Sequence, residues 1–235
     1  GILFEQEREA GDQILNIENL SSKIDGEILF SNINLNLTKL DKVIVYSKDS
    51  RAVSNFFKII NGELQPNSGN YKWGITTTHA YLPFDNDYLF NKSLSLVDWL
   101  RQWTEVEEER EEVYLRGFLG KMLFSGDEAL KSSKVLSGGE KVRCMLSKIM
   151  MSRSNVLILD EPTNHLDLES ITAFNNALKK YKGTLLCSTQ DHLFAQSLGN
   201  RIIELTPKGI IDRNLSFDEY MTDPKVKEIR KKMYT

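Results

Sequence analysis

Asn155-Val156-Leu157-Ile158-Leu159-Asp160-Glu161-Pro162 decides the fold class. Four apolar residues in a row, stopped by two carboxylates and a proline, read as a short strand buried on both faces, the kind found in parallel sheets. Residues 184–188 and 201–205 are runs of the same type, and helical patterns lie around them at 138–151, 167–181 and 191–198. Strands alternating with helices predict an α/β fold with a mainly parallel core sheet. Ligands of such sheets sit beyond the carboxyl ends of the strands, which is where Asp160 and Glu161 stand. Upstream, strands are predicted over 14–20, 27–37 and 42–46, then a helix over 52–60 that Asn61-Gly62 ends. Further strand is predicted over 71–74 and 79–82. From 95 to 124 the pattern is helical: Ser95 and Asp98 have capping-box spacing, and 105–112, with six glutamates, reads as a solvated helix face. Residues 1–13 are charged and read as the end of a helix or linker. No internal repeat or low-complexity tract is present.

The chain has 235 residues, 40% hydrophobic and 27% charged, enough to bury a real core. A net charge of −3 gives no bulk attraction to nucleic acid, and no direct DNA binding is expected. Cys144 and Cys187, the two cysteines, have neither disulfide nor metal spacing and read as buried small residues in a reducing compartment. No apolar run approaches the roughly 20 residues that cross a bilayer, and the first residues do not form a secretory signal. A cytoplasmic location without a membrane partner is the expectation.

Two places carry chemistry. Asp160 can hold Mg²⁺, a hard cation that prefers oxygen, and Glu161 can act as general base toward a water; equally, the pair can be a charged turn after a buried strand. Leu136-Ser137-Gly138-Gly139-Glu140 opens a helix. A capping box explains Ser137 and Glu140 but not two successive glycines, which suit a backbone that something must approach closely. Free N–H groups at such a helix end favour an anion.

These two stretches, with Thr163-Asn164-His165-Leu166-Asp167 following the second, resemble the signature and Walker B motifs of ABC ATPases, and the whole string 160–167 resembles the ABC-F class. The resemblance runs over nearly the full chain, including Val142-Arg143-Cys144-Met145-Leu146 and Asn200-Arg201-Ile202-Ile203-Glu204. It implies an ABC-type P-loop fold, with an antiparallel β subdomain and a small helical lobe at about 92–150. The domain proper would span 14–235, with a last helix at about 223–233 and residues 1–13 as the end of an interdomain linker. It implies ATP and Mg²⁺ as cofactors, with Asp160 and Ser54 at the metal and Glu161 at the general-base position.

The sequence breaks several of the implied motifs. A phosphate loop, G-x-x-x-x-G-K-[ST], falls on Ser47-Lys48-Asp49-Ser50-Arg51-Ala52-Val53-Ser54. Both glycines and the lysine are replaced, Asp49 adds negative charge, and only Ser54 is kept. Lys48 or Arg51 can supply charge only from a new direction. The glutamine that ends a strand in the family aligns with Phe84, the switch histidine with Gln190, and the adenine-stacking aromatic near Ile24. His192 lies two residues past the switch, and His79 and His165 have no metal-like partners. ABC domains pair head to tail, each ATP lying between one domain's Walker motifs and the other's signature. The resemblance therefore implies the second domain of an ABC-F ATPase. It lends Ser137, Gly138 and Gly139 to ATP held by the first domain of the same polypeptide, while its own site, with Ser54, Lys48 and Gln190, is degenerate. A ribosome is the implied partner and translation the implied process. A non-catalytic pseudo-ATPase module and the ATPase subunit of a transporter are the alternatives.

Overall fold

A computed structural model describes residues 1–235. Alternating burial makes the first layer: β1 (Gln13–Ile24) and β2 (Glu27–Thr38) each send every second residue inward over much of their length. Asp25-Gly26, both at positive φ, turn the chain between them. β3 (Lys42–Tyr46) follows, with its three middle residues buried, and α1 (Ser50–Ile60) leaves it at once. α1 buries Ala52, Val53, Phe56, Phe57, Ile59 and Ile60 in a core shared with β1, β2 and β3; Gly62, at φ +81, ends the turn after it. Next come β4 (Ser68–Trp73), antiparallel to β1, and β5 (His79–Leu82). The antiparallel sheet has the order β2-β1-β4.

The middle of the chain is helical but not as one run. α2 (Leu96–Arg101) is N-capped by the Ser95 hydroxyl, and α3 (Glu112–Lys121) starts only after a 3₁₀ turn at Glu107–Arg110. The helical pattern over 95–124 is therefore two helices with a 3₁₀ turn between them. The Arg101 side chain donates to the Arg110 carbonyl and the Arg110 side chain to that of Thr104, folding the segment back on itself. Successive glutamates repel along a helix, which favours the break. α4 (Gly138–Ser152) follows, then β6 (Val156–Asp160), α5 (Leu168–Lys180) and β7 (Thr184–Ser188), both strands buried throughout. The chain finishes through α6 (His192–Leu198), β8 (Arg201–Thr206), β9 (Gly209–Arg213), α7 (Phe217–Thr222) and α8 (Pro224–Tyr234). The second sheet has the order β5-β6-β7-β3-β8-β9, parallel except for β9, so the parallel core and antiparallel subdomain match the expectation.

The chain divides into two units. One holds 6–83, 154–161 and 182–235, which include both sheets; the other holds 1–5, 84–153 and 162–181. The helical unit is larger than the lobe expected at 92–150, since 162–181 cluster with it. Its centre is Trp99, stacked on Phe90 at 4.7 Å with its N–H on the Leu89 carbonyl. No helix forms over residues 1–12; Phe4 is buried edge-on against Phe174 and Tyr181. Each unit holds one buried cysteine, Cys144 in the helical unit and Cys187 in the other. No helix is long and apolar enough to cross a membrane.

Gly74 closes the edge of the antiparallel sheet: its N–H donates to the Ile14 carbonyl, and a Cβ there would lie 2.0 Å from the Gln13 carbonyl oxygen. That obstacle is backbone and cannot swing aside. Gly74→Ala is expected to cost roughly 2–4 kcal/mol, read as a lower urea midpoint at unchanged m-value.

Candidate functional site

At the carboxyl end of β6 the buried Asp160 accepts from the Ser54 hydroxyl at 2.6 Å and the Ser188 hydroxyl at 2.7 Å. α1 delivers Ser54, and β7, in register through Asp160 opposite Ser188, delivers the other. Burial pushes the Asp160 carboxyl above the ordinary carboxylate range, against the pull of the two hydroxyls. Glu161 follows at φ +51, a left-handed backbone unusual for a side chain with a Cβ. Its N–H donates to the Ser188 carbonyl at 3.0 Å and hydroxyl at 3.1 Å, and its own carboxylate accepts the Gln190 N–H at 3.2 Å. Burial is also the main cause that raises the Glu161 carboxyl, with Asp160 beside it adding to the rise. Asp160, Glu161, Ser54 and Gln190 therefore lie close together, as their motifs imply.

The stretch 47–54 is built differently from a phosphate cradle. A nest for an anion needs successive N–H groups turned inward by alternating right- and left-handed residues; none of these eight has a positive φ. The helix starts at Ser50 rather than at the expected 52, because the Asp49 carboxylate accepts the Arg51 N–H and caps it. Four of the backbone donors are used inside the chain. Lys48 N–H donates to the Tyr234 hydroxyl at 3.1 Å, Asp49 N–H to Ser47 Oγ at 3.3 Å, Arg51 N–H to Asp49 Oδ1 at 3.0 Å, and Ala52 N–H to the Asp49 carbonyl at 3.0 Å. Ala52 and Val53, at the glycine and lysine positions, are part of the apolar core.

Neither nearby cation is aimed at a ligand. Arg51 pairs with Asp49 at 2.7 Å and Glu27 at 3.1 Å, and its hydrogen bond keeps the Asp49 carboxyl below its usual range and so charged. The Lys48 ammonium lies over the Tyr234 ring, 4.4 Å from its centre. The cavity left between the loop and the strand ends is about 40 Å³, space for a water or two. Its charged lining residues are Asp160 and Glu161, with no basic residue. For Mg²⁺ the donors suit a hard cation, but the fit is partial. Ser54 and Asp160 converge, yet nowhere do three or more His, Cys, Asp or Glu residues gather as ligands, and magnesium in such sites takes its remaining ligands from phosphates and water.

In the helical unit, Ser137 caps α4 with the full reciprocal box: its hydroxyl accepts the Glu140 N–H and the Glu140 carboxylate accepts the Ser137 N–H. Lys131, 2.6 Å away, holds the Glu140 carboxyl below its usual range. Ser137 and Gly138 are exposed. A cavity of about 240 Å³ opens beside them, lined by Ser137, Gly139, Arg143, His165 and Asp167 among others. The two glycines have an internal reason too. A Cβ on Gly138 would lie 3.1 Å from the His165 ring, and one on Gly139 would lie 2.8 Å from the His165 carbonyl oxygen. Close approach is required, as the sequence suggests, and within the chain the approaching residue is His165.

Other candidate positions fall as follows. Ile24, near the expected adenine stacker, is the last residue of β1, opposite Glu27. Phe84 is 56% exposed. His79 stacks on Trp73 at 4.5 Å and burial lowers its pKa; His192 meets Phe217 edge-on. Sequence reasoning missed Ser188, Tyr234 and Glu204. The fully buried Glu204 accepts from Tyr220 at 2.6 Å and Tyr234 at 2.5 Å and pairs with Arg230 at 2.8 Å. No local motif marks Tyr234, which is 186 residues from Lys48.

Because the Asp160 carboxyl is raised on folding, its contribution to stability is complete below the unfolded value and is lost as pH rises through the folded one. In magnesium-free buffer near neutral pH, Asp160→Asn should therefore raise Tm. The gain should vanish in acid; scanning calorimetry across pH checks both.

The ABC transporter family profile matches residues 53–164. The chain is 50% identical over 98% of its length to an uncharacterized ABC transporter ATP-binding protein of Bacillus subtilis, YkpA, and 40% identical over 94% to a probable ATP-binding protein of Escherichia coli O157:H7, YbiT. It spans only 43% and 41% of the length of these two relatives. ABC transporter F family member 5 of Arabidopsis thaliana is 28% identical over 98% of this chain, which spans 33% of that protein. Uup of Buchnera aphidicola is 29% identical over 98% of this chain, which spans 39% of that protein. Among solved structures, a dimeric bacterial ABC transporter cassette superposes with a TM-score of 0.71 at 18% identity, covering 86% of this chain and 99% of that one. An ABC cassette in its ADP conformation does so with a TM-score of 0.68 at 17% identity, covering 93% and 98%. The fold is that of an ABC cassette, and in sequence the chain is similar to ABC-type ATP-binding proteins, with homologues in the ABC transporter F family and among the Uup proteins.

Proposed function

We propose that this chain is the second cassette of an ABC-F-type ATPase, one that completes its partner domain's ATP site and holds no working site of its own. The observation that carries the reading is the state of 47–54, where Asp49 and Tyr234 use the backbone donors that phosphate would need. The cavity beside it presents two carboxylates and no cation, so a triphosphate brought there meets repulsion without compensation. The capped start of α4, by contrast, exposes Ser137 and Gly138 at a helix N-terminus that favours anions. Relatives more than twice as long, matched along nearly this whole chain, support a partner cassette elsewhere in the same polypeptide. On this reading the first domain holds ATP and Mg²⁺, Ser137 and the N–H groups of Gly138 and Gly139 meet the γ-phosphate, and Glu161 is idle. Association with the ribosome in the cytoplasm belongs to the same reading, as the resemblance to the ABC-F class implies. A wholly non-catalytic module is the second reading, favoured by the same loop; turnover by the longer protein separates the two.

Alone, the chain should hydrolyse ATP at background rate and bind it weakly, with little preference for ATP over ADP. Calorimetry giving micromolar ATP affinity that falls sharply for ADP would contradict this, as would magnesium-dependent turnover lost in Glu161→Gln.

In the longer protein, Gly138→Asp should lower steady-state turnover by at least about 10², the scale of losing a transition-state donor. Glu161→Gln should lower it less than about tenfold, far less than the matching change in the first domain. Gly138→Ala, which also crowds His165 but adds no charge, controls for displacement of that ring. If Glu161→Gln is as damaging as its first-domain counterpart and Gly138→Asp is silent, the asymmetric reading is lost.

A further inference from the structure

We infer that α8 is a built-in latch on 47–54, ordering that segment in place of a bound phosphate. The inference rests on the reading that the segment holds no nucleotide. α8 grips both sides of Ser47. The Arg230 guanidinium lies over the Tyr46 ring, 5.5 Å from its centre, and Tyr234 takes the Lys48 N–H on its hydroxyl and the Lys48 ammonium on its ring face. One side chain thus occupies both a backbone donor and a cation of the segment, the two kinds of group a phosphate would claim.

The grip is anchored in the core. β3 and β8 are in register through Tyr46 opposite Glu204, so the buried Glu204 carboxylate stands next to the start of the segment. Tyr234 donates to it at 2.5 Å, and Arg230 pairs with it at 2.8 Å. Tyr220, on α7, adds the third contact at 2.6 Å. Were α8 to leave, Glu204 would keep the Tyr220 hydroxyl but lose the Arg230 guanidinium, and a buried carboxylate stripped of its cation is strongly disfavoured. That is why α8 is held to the buried carboxylate of β8 and is not a loose tail. Burial also raises the Tyr234 phenol, so it stays protonated and keeps donating to Glu204 while its oxygen accepts from Lys48.

The test is amide exchange of the assigned chain by NMR. Tyr234→Phe keeps the ring under Lys48 and removes only the hydroxyl. It should speed exchange of the Lys48 amide about tenfold, the worth of one lost hydrogen bond, while the amides of Val43, Ile44 and Val45 keep their rates. Unchanged Lys48 exchange in an otherwise native spectrum overturns the latch. If Tyr234→Phe does not fold, Lys48→Met decides: it leaves the backbone donor and removes the cation. Exchange over 231–234 should then rise by about twofold, and no change overturns the latch. Adding ATP and Mg²⁺ to the wild-type chain tests the underlying reading separately: protection of the Lys48 amide by nucleotide would sink that reading, whereas the latch is judged by the variants alone.

Discussion

A buried carboxylate at the end of an apolar strand must be satisfied, and Asp160 is satisfied by Ser54 and Ser188. Those two hydrogen bonds fix where α1 starts relative to β6 and hold β6 to β7 at their carboxyl ends. Ser188 then turns Glu161 through its own carbonyl and hydroxyl into a left-handed backbone. The rest of the site is arranged around this point. It sets carboxylates and hydroxyls side by side at the strand ends, and the neighbouring segment 47–54 is filled with the chain's own groups. Retention of Asp160 therefore has a structural account: removing it outright would orphan two buried hydroxyls, whatever the fate of the nucleotide.

On the proposed reading, loss at the loop is more than the removal of useful groups. Val53 and Ala52 have joined the apolar core. Asp49 has become a helix cap, and Lys48 and Arg51 have found partners in Tyr234, Asp49 and Glu27. Each replacement stabilises the present arrangement, so restoring one residue of the motif would create a conflict as well as remove one. A lysine placed at position 53 would have to leave the core before it could meet an anion, and a glycine at 52 would weaken a helix that now begins two residues earlier.

Much of this was legible in the sequence because the signals were local or periodic. The apolar runs 156–159 and 185–187, bounded by polar residues, marked buried strands. The replaced glycines and lysine at 47–54 could be counted directly. Legibility failed where distant residues decide. The helical stretch over 95–124 is divided through contacts between Arg101 and Arg110, which no local pattern marks. The strand Gly209–Arg213 is an edge that pairs only with β8, and α7 is short, marked only by its Ser216–Glu219 capping box. The contact of His165 with Gly138 and Gly139 depends on tertiary packing, so the glycine pair could be read as a binding feature but not as a packing one. Tyr234 lies in unremarkable sequence, Glu204 stands out only as part of a strand resembling the family, and no pattern could assign either to the loop.

The two cysteines are buried one in each unit, and burial raises both thiols, that of Cys144 to about 12 and that of Cys187 well above its ordinary value. Neither offers appreciable thiolate near neutral pH, so an alkylating reagent finds them only when the surrounding structure opens. Nature has thereby placed a separate silent reporter in each half of the chain. Peptide mapping after timed alkylation would distinguish fraying of the helical part from fraying of the sheets, without introducing a label or altering a single residue.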